Sequence, residues 1–207
     1  MRTLTKELQA EITPQKALEI LKTGNERFVN NLKANRNLLQ QVNETAEGQH
    51  PFAVILSCID SRTSAELIFD QGLGDIFSVR IAGNILNEDI LGSMEFACKV
   101  AGARIVLVLG HTKCGAVKGA CDNVNLGNLT ALLSKLLPAV EAEKTTVKDR
   151  NSKNAEFVEN VATLHVKMTI KQIAERSSIL KEMAEKGEIA ILGGMYMVET
   201  GQVDFNF

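Results

Sequence analysis

The chain has 207 residues, a formal net charge of −2, 45% hydrophobic residues and 23% charged ones, which is the make-up of an ordinary soluble globular protein. Basic and acidic residues nearly balance, 23 against 25, and neither sign gathers in a tail, so a dedicated nucleic-acid or anionic-membrane binder is disfavoured. With no Trp and one Tyr, Tyr196, there is little aromatic surface for stacking on bases. The start, MRTLTKELQAEITPQ, carries no apolar core of secretory length, and the apolar runs at 52–59 and 105–109 fall far short of the ~20 residues that span a bilayer. These readings predict a cytoplasmic protein. Its four cysteines then read as metal ligands, nucleophiles or core residues, and not as a disulfide framework.

Thr13 and Pro14 read as an N-cap and a first helical residue. They open an amphipathic helix whose apolar positions Ala17, Leu18, Leu21, Phe28 and Leu32 recur at three- or four-residue steps. Residues 33–50 are polar and irregular and read as a surface connection. PFAVILSC, 51–58, is a continuous apolar run of the kind that fills a strand buried on both faces of a parallel sheet. The pattern then alternates: 64–71 helical, 76–80 extended, 88–101 helical, and a second buried strand at IVLVLG, 105–110, rich in β-branched residues. Helices are expected over 114–122, 129–143 and 155–186, the last ending at Gly187 as a C-cap. Strands are expected at 189–192, 195–199 and 203–205, the last two joined as a hairpin through Thr200-Gly201-Gln202. This alternation predicts an α/β fold: a central, mainly parallel β-sheet with helices on both faces, an antiparallel C-terminal edge and an N-terminal helical extension. No repeat or boundary is visible, so 1–207 reads as a single domain, with 1–48 as a helical arm within it.

In open α/β sheets, chemistry collects beyond the carboxyl ends of the strands. The first buried strand runs into Ser57-Cys58-Ile59-Asp60-Ser61-Arg62, and the second into Gly110-His111-Thr112-Lys113-Cys114-Gly115. If the two strands are neighbours, two thiols, an imidazole, a carboxylate and a guanidinium share one crevice. Two thiolates and one imidazole make a three-ligand zinc site that leaves a position for water or substrate. The H-x-x-C spacing is common by itself; the placement of both groups just past buried strands is what singles them out. Asp60 and Arg62 also admit a plainer reading, as an ion pair at a helix N-terminus. Cys98 and Cys121 read as small buried hydrophobes within helices, and His50 and His165 as incidental. Gly72, Gly74 and Gly83 read as turn residues, since no dinucleotide or P-loop glycine pattern accompanies them. A thiol-phosphatase arrangement is not met at Cys114, where Ala120 stands in the arginine's place, and C-x-x-C is absent.

CIDSR (58–62), RIAGN (80–84) and GHTKCGAV (110–117), in this order and spacing, resemble the β-class carbonic anhydrases. EFA (95–97) and GGMYMVETGQVDF (193–205) extend the resemblance, which covers roughly 49–122 and 187–205. It implies an enzyme for the zinc-dependent, reversible hydration of carbon dioxide to bicarbonate and a proton. One Zn2+ per subunit would be bound by Cys58, His111 and Cys114. Asp60 would orient the zinc-bound hydroxide, with Arg62 paired to it. Gln49 would donate a hydrogen bond to substrate from the neighbouring subunit, and a backbone amide near Gly115 would help line the carbon dioxide slot. The resemblance also implies self-association as a homodimer or tetramer in which the N-terminal helix embraces the partner, with no nucleic acid and no membrane among its partners.

The chain departs from the family pattern at Ser57 (commonly Ala or Gly), Thr63 (commonly Val) and Ile81 (commonly Asn). Ile55 stands where some bacterial members carry the Trp of an allosteric bicarbonate pocket. That pocket is therefore not expected, and Asp60 is expected to pair with Arg62 and not to swing onto the metal. Two thiolates weaken zinc as a Lewis acid, so activity is expected to rise above neutral pH. The sequence does not identify the proton shuttle, for which His50 is a candidate. The motifs do not separate carbon dioxide from carbon disulfide or carbonyl sulfide as substrate.

Overall fold

The computed structural model describes residues 2–207. Its strands are β1 (Ala53–Ser57), β2 (Ile76–Arg80), β3 (Ile105–His111), β4 (Ala190–Tyr196) and β5 (Val203–Asp204). They form one sheet in the order β2-β1-β3-β4-β5. The first four run parallel; β5 adds antiparallel to β4, pairing Tyr196 with Val203. The helices are α1 (Lys6–Ala10), α2 (Pro14–Val29), α3 (Leu38–Glu44), α4 (Ala65–Ile68), α5 (Glu88–Glu95), α6 (Gly115–Cys121), α7 (Gly127–Leu133), α8 (Leu137–Ala142), α9 (Ala155–Arg176) and α10 (Ser178–Glu185).

The two central strands are buried along their whole length, which is why they read as unbroken apolar runs. Side chains alternate between two cores. Val54, Leu56, Val106 and Val108 join one with residues of α5, α6, α9 and α10. Ala53, Ile55, Leu107 and Leu109 join the other with Ala17 and Leu21 of α2 and Ile68 of α4. Helices therefore cover both faces, as expected. The β1–β3 register sets Ser57 beside Leu109, so Cys58 and His111 leave adjacent strands at the same end of the sheet.

Several expected elements are redrawn. Thr13 does cap α2, accepting from the Lys16 amide, but the helix stops at Val29 and Asn31 turns the chain with φ of 54°. Leu32 thus lies outside it and is exposed. Residues 33–50 are not irregular throughout: they hold α3, whose buried Gln41 accepts the Leu73 amide while Leu38, Leu39 and Val42 face outward. The short α1 was also not expected. The helix at 64–71 shrinks to α4, since Asp70 takes φ of 45°. The helix at 88–101 is α5 continued by a wider π turn, Phe96–Val100.

The expected helix at 129–143 is two helices, because Pro138 in the first turn of α8 has no amide with which to continue α7. That at 155–186 breaks at Ser177, which is extended and caps α10 by accepting from Leu180. The strands at 189–192 and 195–199 are one, β4. Gly193 is not a break but a close approach, where a Cβ would lie 2.8 Å from both Ile170 and Val166 of α9. The C-terminal hairpin forms as expected. Asn25 of α2 fastens to it, donating to the Gly201 carbonyl at 2.8 Å and accepting the Val203 amide at 2.9 Å. Among the described residues no helix is long and apolar enough to cross a membrane.

Candidate metal centre

Cys58 follows β1, His111 ends β3, and Cys114 is the N-cap of α6. Their ligand atoms all lie within 4.8 Å of one another, and all three residues are buried. His111 Nδ1 lies 2.9 Å from the Thr112 carbonyl oxygen and donates to it. That leaves Nε2 buried with no partner, a condition that costs about 1–3 kcal/mol unless something binds there. A lone pair of this kind beside two sulfurs suits a borderline-soft dication, and the donor set is that of a zinc site with one position open. Among the described residues, no other group of three such side chains converges in this way.

The two thiols behave as one proton-sharing pair. The Cys114 S–H beside it holds the Cys58 thiol well below its usual value against its burial, and the Gly83 amide adds to the effect. Cys114 is pushed well up by the same pairing and by burial, which the amides of Val117 and Ala116 at the start of α6 only partly oppose. A dication bound there would displace that proton, since both sulfurs would ligate as thiolates. The Gly83 amide donates to Cys58 Sγ at 3.3 Å from a 3-10 turn, Ala82–Asn84.

Arg62 grips Asp60 with two prongs, Nε to Oδ1 at 2.9 Å and Nη2 to Oδ2 at 2.8 Å, and its amide adds a third bond to Oδ1 at 3.0 Å. The guanidinium holds the Asp60 carboxyl far below the usual carboxylate range. The pair sits in the loop ahead of α4, not at that helix's N-terminus, and Asp60 is not one of the clustered ligands. The loop is held from outside. Arg80 at the end of β2 donates to the Asp60 carbonyl at 2.6 Å and to the Cys58 carbonyl at 3.1 Å. The buried Thr63 hydroxyl lies 3.0 and 2.9 Å from the same two oxygens.

A cavity of about 260 Å³ opens against Cys58, Asp60 and Gly115, with Ala82, Leu129 and Leu133 as its apolar walls. Its size and polarity suit a small neutral molecule. The profile of the carbonic anhydrase family matches residues 53–203, the span that carries all three clustered ligands. The chain belongs to the β-carbonic anhydrase family. "Carbonic anhydrase 2" of Mycobacterium tuberculosis is 38% identical over 197 residues, covering 91% of each chain. The carbonic anhydrase of Mycolicibacterium smegmatis is 33% identical over 198 residues, covering 92% of each. Among solved structures, the β-carbonic anhydrase CafA of Aspergillus fumigatus matches with a TM-score of 0.68 and 29% identity, over 81% of this chain and 80% of that one. The tetrameric β-carbonic anhydrases of Sordaria macrospora share the fold, at TM-score 0.69 and 24% identity over 79% of this chain and 84% of theirs.

For this carbonic anhydrase, the structure brings Cys58, Asp60, Arg62, His111, Cys114 and Gly115 together at one end of the sheet. Gln49 is not among them: it is exposed beside Val42, Thr45 and Gly74 around a separate cleft. His50 lines another cleft with Arg2, Thr3 and Glu44. Cys98 and Cys121 are buried core thiols, pushed up by burial to about 12 and about 11. His165 is buried as well. Sequence reasoning missed the supports of the site, Arg80, Thr63 and Gly83. The RIAGN run that carries two of them was the available signal.

Proposed function

We propose that this enzyme hydrates carbon dioxide reversibly to bicarbonate and a proton at one zinc ion per chain, held by Cys58, His111 and Cys114. The observation that carries the reading is the partnerless, buried Nε2 of His111 clustered with two thiols, of which Cys58 lines an apolar cavity. When bound, zinc supplies a water activated near neutral pH. Asp60, which lines the cavity, would accept a hydrogen bond from the attacking water and orient it there. Arg62 keeps the carboxylate ionised and turned away from the thiols. Ala82, Leu129 and Leu133 keep bulk water from the carbon dioxide, and the Gly115 backbone borders it.

We assign Gln49 to the site of a neighbouring subunit, where it donates to substrate, in a homodimer or tetramer. Its distance from the cavity of its own chain supports this, as do the outward-facing Leu38, Leu39 and Val42 and the tetrameric state named for the Sordaria macrospora relatives. A cytoplasmic setting suits four free thiols.

Stopped-flow carbon dioxide hydration tests the assignment. Asp60→Asn should retain its zinc and lose about 10²-fold or more in turnover, the usual scale for a positioned proton-accepting group. Cys114→Ala should lose zinc and activity together. Wild-type turnover in the first variant removes Asp60 from the mechanism; in the second it overturns the metal assignment.

A further inference from the structure

Between His111 and Cys114 the chain has two residues in which to turn from β3 into α6. Lys113 makes the turn with φ of 57°, a left-handed conformation seldom taken by side chains other than glycine and asparagine. The sheet's hydrogen bonding reaches Thr112, whose amide donates to the Tyr196 carbonyl at 2.9 Å. Beyond it, two carboxylates from distant parts of the chain take over. Glu159, near the start of α9, accepts the Lys113 amide at 2.8 Å. Glu199, in the turn after β4, uses both oxygens: Oε2 accepts from Thr112 Oγ1 at 2.9 Å, and Oε1 lies 2.6 Å from Lys113 Nζ. The Thr112 oxygen itself accepts the Val198 amide at 3.0 Å, which leaves its proton to point at Glu199.

We propose that Glu159 and Glu199 are positioning residues that hold the His111–Cys114 loop in its ligating shape and so slow the loss of bound metal. The proposal rests on the reading of Cys58, His111 and Cys114 as a zinc site. Neither carboxylate belongs to the ligand cluster; each acts on the two residues that separate two of the ligands. With β3, α9 and the turn after β4 all fastened to it, the loop keeps His111 and Cys114 at one separation. Once loosened, it lets one ligand leave while the other stays, the step by which a competing chelator gains entry.

The test mixes zinc-loaded protein with an excess of a chromogenic chelator and follows zinc release. Glu159→Ala/Glu199→Ala should release zinc about 10-fold faster, the lower end of what outer partners of metal ligands contribute, with little change in the melting temperature of the loaded protein. Glu159→Gln/Glu199→Gln, whose amide oxygens still accept, should release at close to the wild-type rate, which a role of charge alone would not allow. Wild-type release from the alanine double variant overturns the proposal. Should that variant fail to fold by circular dichroism, the two single alanine variants carry the test, each expected to release faster than wild type, and wild-type rates in both overturn it equally. A wild-type chain that takes up no zinc fails the zinc reading and the brace with it, whereas normal uptake with unchanged release in the variants fails the brace alone.

Discussion

The Gly83 amide reaches the Cys58 sulfur at 3.3 Å because Gly83 itself is left-handed, with φ of 65°. A Cβ there would lie 3.0 Å from Leu136 Cδ1 and 3.1 Å from Ala116 Cβ. Gly83→Ala should therefore cost about 2 kcal/mol, from the left-handed penalty and the crowding combined. Thermal denaturation should show a drop of roughly 4–8 °C for a chain of this size. An unchanged melting temperature would mean that the turn tolerates a side chain and that its shape does not depend on glycine.

Ser57 is fully buried and its hydroxyl has no partner. Ser57→Ala removes a desolvated donor and acceptor at the cost of a very small void, so it should stabilise the fold by about 1 kcal/mol. Denaturation midpoints of the two proteins check this. A loss of stability in the variant would show that the hydroxyl is bonded in solution.

His165 gives a pH dependence with a definite sign. Burial pushes its imidazolium down to about 4, with the backbone at Gly83 and Asn84 opposing weakly. An unfolded histidine titrates near about 6.5. Between those values the unfolded chain takes up a proton that the folded chain refuses. Stability present above about pH 6.5 is thus lost as the pH falls toward 4, by on the order of 3 kcal/mol. Urea denaturation of metal-free wild type and His165→Leu across this window should show a steeper loss in the first than in the second, the difference being the histidine's share. Equal slopes would place a partner on the ring.

Arg80 holds the carbonyls of Cys58 and Asp60 from the neighbouring strand. Arg80→Ala should leave zinc stoichiometry intact and lower kcat about 10-fold, since small displacements of Asp60, proposed to orient the nucleophile, would be costly. Arg80→Lys, with a single point of attachment, should fall between. Wild-type kcat in the alanine variant would show that Thr63 alone fixes the loop.

Much of this architecture was legible because burial leaves an unmistakable pattern in β1 and β3: Val54-Ile55-Leu56 and the IVLVL run at 105–109 offer no polar face. The Cys58, His111 and Cys114 cluster was legible for the same reason, since both of its runs follow those strands, and the register of Ser57 with Leu109 confirms the strands as neighbours. Helix α3 was hidden because its polarity is inverted, with Gln41 buried and Leu38 and Leu39 outside. β4 was hidden because Gly193-Gly194 looks like a turn, while α9 packs close enough to require glycine. The supports of the site were hidden because nothing local to Arg80 or Thr63 says which distant carbonyl each will meet. Gln49 lies away from the cavity of its own chain, and a role there belongs to an assembly that no single chain displays.

Hydration of carbon dioxide at a metal held by Cys58, His111 and Cys114 is the proposal to be tested. Its most direct test is to titrate metal-free protein with zinc while following stopped-flow carbon dioxide hydration on the same samples. Turnover should rise in proportion to bound zinc and level off at one equivalent per chain. Turnover that ignores the metal, or a fully loaded protein no faster than buffer, would contradict it.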